Sequence, residues 1–211
     1  MTTEKQIYSD GVLLAQAYLG RLNTALGQIV LWQVAKASKY LRKTADNGGT
    51  VWCVGNGGSH ANASHLSLHL QERGIHAVDL MGEGPIQSAL SNDFSYEGSL
   101  AQRLLVLGAP QDTLVIISGS GNSLNLIAAL AEARRQGMVS IGLLGFGGGM
   151  ALSLVRIPIN LHLHEYGPIE DAHSAIIHIL AEMLGNVGHG PISRRAPHAR
   201  SPSTEGCARG T

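Results

Sequence analysis

From residue 50 onward the chain alternates short runs of β-branched and aliphatic residues with longer stretches whose apolar residues recur at helical spacing. The runs fall at 51–54, 76–80, 113–117, 139–143 and 155–160, and the helical stretches at 61–72, 98–107, 123–136 and 169–184. This order leaves little choice of architecture, because a helical crossover returns the chain to the same end of the sheet and makes the strands parallel. Strands covered on both faces read as near-continuous apolar runs, and these do. The pattern predicts an α/β fold, a three-layer α/β/α sandwich on a parallel sheet of about five strands. Pro158 removes a ladder donor, so the last strand should be short or lie at an edge. Upstream, Leu13, Leu14, Ala17 and Leu19, then Leu26, Ile29, Val30 and Val34, mark two helices, with a break expected at residues 20–24. The expected organisation is an N-terminal helical arm over residues 1–48, the sheet-bearing domain over 49–187, and a disordered Gly-, Pro-, Ser- and Arg-rich tail over 188–211.

Charge and composition narrow the function classes. Fifteen Lys and Arg balance fifteen Asp and Glu, so there is no electrostatic footprint for nucleic acid or an anionic membrane. The tail arginines Arg194, Arg195, Arg200 and Arg209 read as a solvated end. No apolar run approaches the roughly 20 residues of a spanning helix, and Met1-Thr2-Thr3-Glu4-Lys5 carries no secretion signal. Cys53, in an apolar run that also holds Trp52, is expected in the core; with Cys207 in the tail it gives no disulfide framework, and a cytoplasmic setting is expected. Charged residues are 14% of the chain, against about a quarter in an ordinary soluble protein. So bare a surface points to burial between subunits.

Two strand-to-helix junctions carry chemistry. Val51-Trp52-Cys53-Val54-Gly55-Asn56-Gly57-Gly58-Ser59 runs a buried strand into a glycine turn and a helix, where free N–H groups and the helix dipole favour an anion. That signal is equally met by a tight structural turn. Val115-Ile116-Ile117-Ser118-Gly119-Ser120-Gly121-Asn122-Ser123 repeats the arrangement with three serines, whose hydroxyls can surround a phosphoryl group without a lysine. Neither the P-loop nor the dinucleotide fingerprint is present; a small sugar phosphate fits these turns better, and both are expected at the carboxyl ends of neighbouring strands, where open α/β sheets place ligands. On the helices, His65 and His69 lie one turn apart on one face, and Glu170 and His178 lie at i and i+8. Together His65, His69, Glu170 and His178 make a tetrahedral donor set suited to zinc, although His-x-x-x-His also arises by chance in a chain with 10 histidines.

Gly55-Asn56-Gly57-Gly58-Ser59, Asn92-Asp93, Ser118 to Ser123, and Glu170-Asp171-Ala172-His173 with His178 resemble, in that order, the sugar isomerase (SIS) domain family, and within it the phosphoheptose isomerases. The resemblance implies conversion of sedoheptulose 7-phosphate to glycero-manno-heptose 7-phosphate through an enediol. It implies a homotetramer with active sites at subunit junctions, the N-terminal helices forming the oligomerisation arm. It assigns substrate contacts to Asn56, Gly57, Gly58, Ser59, Asn92, Asp93, Ser118, Gly119, Ser120, Ser123 and Glu170, catalysis to His69, Glu170 and His178, and zinc, bound in some members, to the four donors above.

The chain departs from that family at three places. His69 stands where the family has glutamate and Glu170 where it has glutamine, so the carboxylate moves from one wall of the site to the other. Gly119 replaces a threonine, which removes a hydroxyl and should leave space. Two alternatives follow: an isomerase for another ketose phosphate in a specialised pathway, or a non-catalytic SIS-fold regulator resembling the replication-initiator-associating protein. His162 and His164 are expected to alternate along the last strand facing solvent or a loop, His60 either to touch substrate or to cap its helix toward solvent, and residues 145–149 to form a flexible turn.

Overall fold

Two helices, Glu4–Gly27 (α1) and Leu31–Asp46 (α2), lead into the repeating part of the chain. It runs Val51–Gly55 (β1), Gly58–Glu72 (α3), Ala77–Asp79 (β2), Gly84–Leu107 (α4), Thr113–Ser118 (β3), Leu124–Arg135 (α5), Val139–Leu144 (β4), Ile157–Asn160 (β5) and Tyr166–Met183 (α6). The structure, a computed structural model, describes residues 4–185; the tail expected over residues 188–211 lies outside them. The five strands form one sheet in the order β2-β1-β3-β4-β5, every pairing parallel. β5, with Pro158, is an edge strand as its missing donor requires.

The period of two along each strand sorts the core into two layers. Val51, Cys53, Val115, Ile117, Ile141 and Leu143 pack with α2, α3 and α6. Trp52, Val54, Leu114, Ile116 and Leu144 pack with α4 and α5. Trp52 and Cys53, both in the core, thus serve opposite faces, and burial pushes the Cys53 thiol well above its ordinary range, which makes it a packing group and not a nucleophile.

The structure departs from the sequence pattern in four places. α1 continues through residues 20–24, where the Thr24 hydroxyl donates back to the Gly20 carbonyl at 3.1 Å. The break comes instead at residues 28–30, where the Gln28 carboxamide accepts the His162 N–H at 2.6 Å. α4 begins at Gly84, with Pro85 in its first turn, well before residue 98; within it Ser95 leaves helical geometry at φ 69°, and the two arms fold together, since Gln87 reaches Ser99 and Glu83 reaches Arg103. β5 ends at Asn160, so His162 and His164 lie beyond it; the His164 ring stacks on Phe146, centroids 5.4 Å apart. Residues 145–149 are held by contacts within the loop and with the serine turn: Gly148 N–H donates to Gly145, and a Cβ on Gly121 would collide with the Gly148 carbonyl, so this loop buttresses the serine turn.

His173, at the middle of α6, is fully buried with no hydrogen-bond partner of ordinary geometry on either ring nitrogen. Burial lowers its pKa to about 4, the Leu144 carbonyl acting weakly in the opposite direction. The ring is therefore neutral in the fold while the unfolded chain takes up a proton near pH 6.5. Its neutral burial leaves stability intact above that pH and removes it as pH falls toward 4, with a ceiling of about 3 kcal/mol. Denaturant unfolding between pH 7 and 4 should show that slope, and His173→Leu should flatten it.

Candidate active site

β1 and β3 are neighbours, Gly55 lying opposite Ile117, so the two turns emerge side by side where the strand order reverses direction. That switch point is where open parallel sheets bind ligands. Each turn is shaped by its own backbone. Gly57 adopts φ 56°, and a Cβ at Gly55 would strike the Ser59 carbonyl, so the first turn can be this tight only with glycine. In the second, the Ser118 hydroxyl accepts the Gly121 N–H at 3.0 Å and the Ser120 hydroxyl accepts the Asn122 N–H at 3.3 Å. A reciprocal amide pair ties the turns together: Asn56 donates to Asn125 at 3.0 Å and Asn125 donates back at 2.9 Å. The Tyr96 hydroxyl adds a third bond to the Asn56 oxygen at 2.8 Å.

Between the turns lies a cavity of about 140 Å³, lined by Asn56, Ser59, Ile117, Ser118, Gly119, Ser120, Ser123, Tyr166 and Glu170. Glu170 comes from the first turns of α6, and its carboxylate lies against the first residues of α3. Ser59 donates to it at 3.4 Å, and a Cβ on Gly58 would occupy the carboxylate's own place. The positive end of the α3 dipole favours a carboxylate there. Below, Asn62 donates to the Glu170 carbonyl at 2.8 Å and fixes the α3–α6 seam.

The four expected metal donors divide. His65, His69 and His178 cluster along that seam with ring centroids 4.5 to 5.0 Å apart and ligand nitrogens within 4.8 Å of one another. Glu170 is outside the cluster: eight residues separate it from His178, about 12 Å along a helix axis, and its side chain turns to Gly58. His69 shares its Nδ1 with Glu72 at 3.1 Å, leaving Nε2 buried and without a partner. Burial first, then the neighbouring His69 and His178, hold His65 below its ordinary pKa and so neutral, the form that binds metal.

Asn92 and Asp93 do not line the cavity; they lie exposed in the outer arm of α4, Asn92 donating to Asp93 at 3.0 Å. His60 neither lines the cavity nor caps toward solvent alone: its Nε2 meets both Asp79 oxygens at 3.0 Å, and Ser64 bonds the same carboxylate. The space expected at Gly119 is taken by the ring of Tyr166.

Residues 18–145 match the SIS domain family. The chain belongs to that family. The phosphoheptose isomerase of Geotalea daltonii is 34% identical over 166 residues, 76% of this chain and 86% of that protein. That of Buchnera aphidicola is 38% identical over 154 residues, 70% and 79% of the two. A phosphoheptose isomerase structure from Neisseria gonorrhoeae superposes with a TM-score of 0.79 at 26% identity, over 84% of this chain and 98% of that one.

In this SIS domain three residues that shape the site were not singled out from the sequence. Asn125 and Tyr96 act by holding Asn56, and Tyr166 forms a wall. Asn125 follows the serine turn by two residues and Tyr166 precedes Glu170 by one helical turn, which are the only local signals they carry. Because Gly58 makes room for the Glu170 carboxylate, Gly58→Ala should destabilise the fold by about 1–3 kcal/mol through overpacking. Glu170→Ala in the same chain should recover most of it, as read by denaturant unfolding.

Proposed function

We propose that the chain is a phosphosugar isomerase interconverting sedoheptulose 7-phosphate and glycero-manno-heptose 7-phosphate. The observation that carries this reading is the position of Glu170, a carboxylate in the same cavity as the hydroxyls of Ser59, Ser118, Ser120 and Ser123. One cavity thereby offers an anion grip and a base. The phosphate is assigned to the serine turn, where hydroxyls and the N–H groups opening α5 replace its hydration. The carbon chain then runs toward Glu170 and the α3–α6 seam. Its relatives' name, over most of both chains, supports the same substrate.

Turning the ketose into the aldose requires a proton to leave C1, an enediol to form, and a proton to return at C2, while the hydroxyl proton passes from O1 to O2. Glu170 is assigned the carbon-bound proton: it leaves C1 for the carboxylate and returns at C2. The oxygen-bound proton is assigned to the same carboxylate, which can take it from O1 and return it to the neighbouring O2; His178, about 12 Å further along α6 and grouped with His65 and His69, is assigned to the triad. His69, grouped with the triad and apart from the cavity, is assigned to holding metal in place of proton transfer.

The triad's donors suit zinc: three imidazoles, one with an orphaned buried nitrogen, supply three ligands of a tetrahedral set. His65, His69 and His178 would hold the ion without Glu170, and when bound it would supply a Lewis acid at the α3–α6 seam. The uncovered apolar side chains Val12, Leu13 and Leu14 on α1 and Leu31 and Trp32 on α2 support the homotetramer, with sites near subunit junctions.

Incubation with sedoheptulose 7-phosphate, followed by NMR, tests the reaction. Glu170→Gln should lower kcat by about 100-fold or more with little change in KM, whereas Ser120→Ala with Ser123→Ala should weaken binding by about tenfold or more, each charge-assisted bond being worth roughly 1.5–3 kcal/mol. Sugar-phosphate binding without interconversion by the unmodified protein would favour a non-catalytic SIS protein. Cobalt(II) titrated into the protein should develop the visible absorption of a tetrahedral site. Loss of that signal is expected in His65→Ala, and Glu72→Gln, which unfixes the His69 ring, should weaken cobalt binding by about 10- to 100-fold.

A further inference from the structure

The wall of the cavity at Gly119 is made by another part of the chain. A Cβ on Gly119 would lie 2.7 Å from Cδ1 and 2.8 Å from Cε1 of Tyr166, inside any tolerable contact. The ring therefore sits where a side chain at position 119 would be, in the cavity that Ser118 and Ser120 also line. It is held from behind: the Phe146 ring lies 4.8 Å away at 57°, and Phe146 is itself stacked on His164. Phe146 adopts φ 51°, a left-handed conformation that a bulky residue rarely takes and that here accompanies its contact with Tyr166. Tyr166 is 56% exposed, and its hydroxyl makes no hydrogen bond to another described residue, so the ring is neither a core residue nor a hydrogen-bonded strut. Four residues on, one turn along the same face of α6, comes Glu170. The Tyr166 ring lines the same cavity as the serine turn and that carboxylate, so a carbon chain joining the two has this ring as a wall.

Resting on the phosphosugar reading above, we propose that Tyr166, seated against the Cβ-less Gly119, is the residue that selects which sugar phosphates the cavity accepts: its ring is the apolar wall against which the C–H face of the carbon chain lies. Ring faces take sugar C–H edges without demanding a hydroxyl partner, whereas a threonine at position 119 would place a hydroxyl at that point. The pairing makes the two positions interdependent. A side chain at 119 requires removal of the ring, and removal of the ring opens the wall to longer or differently configured chains.

The test is a calorimetric panel of C5, C6 and C7 ketose phosphates, with inorganic phosphate as the control ligand. Tyr166→Ala should change the affinity ratio between C5 and C7 ligands by at least tenfold, with inorganic phosphate affinity within twofold. Tyr166→Phe should keep the original ratio, because the ring and not the hydroxyl is the wall. Gly119→Thr should weaken every sugar phosphate by at least tenfold, and Gly119→Thr with Tyr166→Ala should recover most of that loss. An unchanged ratio in Tyr166→Ala, with phosphate still bound, overturns the selection role and leaves the phosphosugar reading standing. Failure of the unmodified protein to bind any sugar phosphate overturns both.

Discussion

Everything at the site depends on the parallel pairing of β1 with β3. These two strands are separated in sequence by α3, β2 and α4, yet they lie side by side at the centre of the sheet, and their carboxyl ends open two turns in contact. A parallel ladder buried on both faces fixes register strongly, because a slip of one residue would turn Trp52 and Cys53 each into the wrong layer. With the register fixed, Asn56 and Asn125 come within reach and exchange two hydrogen bonds across the gap. The glycines can then be as sparing of volume as they are, since the geometry they permit is held from both sides.

A second consequence concerns charge. A carboxylate beside the serine turn proposed to hold a phosphate would be an awkward neighbour, and the chain arranges it over the positive end of α3, within reach of the Ser59 hydroxyl. The three histidines occupy a different stretch of the same α3–α6 seam, where Glu72 orients one ring and burial keeps another neutral. Serine turn, carboxylate and imidazoles thus occupy neighbouring stretches of the α/β framework without competing for one volume.

Most of the architecture was legible in the residues, because strand runs and helical stretches differ in period and length. Pro158 placed the edge, and the two glycine-rich junctions placed the cavity. Contacts between distant segments were not legible. Helical spacing put Glu170 and His178 on one face, but it could not show that the Glu170 carboxylate turns to Gly58 and away from the imidazoles, since that depends on where α3 begins relative to α6. Gly119 read as a vacancy because its filler, Tyr166, lies 47 positions further along the chain. The outer arm of α4 was missed because a Gly- and Pro-bearing opening reads locally as a loop, while its helix is held by cross-arm contacts such as Glu83 with Arg103.

The way α1 meets the rest of the molecule has its own implication. Two polar tethers hold it: Tyr18 donates to Asp171 at 2.5 Å, an attachment that raises the phenol's pKa to about 12, and Arg21 pairs with Glu165 at 2.8 Å; beyond them Ala25 and Leu22 pack on Leu161 and Ala172. Both acids flank the opening turn of α6, next to the residues that face the cavity, while much of the rest of the helix carries aliphatic side chains open to water. A segment tethered at the working end and greasy elsewhere behaves as a strut that is firm only when something presses on its far side. If copies of the chain cover that face, as proposed above, dilution would loosen the pocket from behind before it unfolded anything.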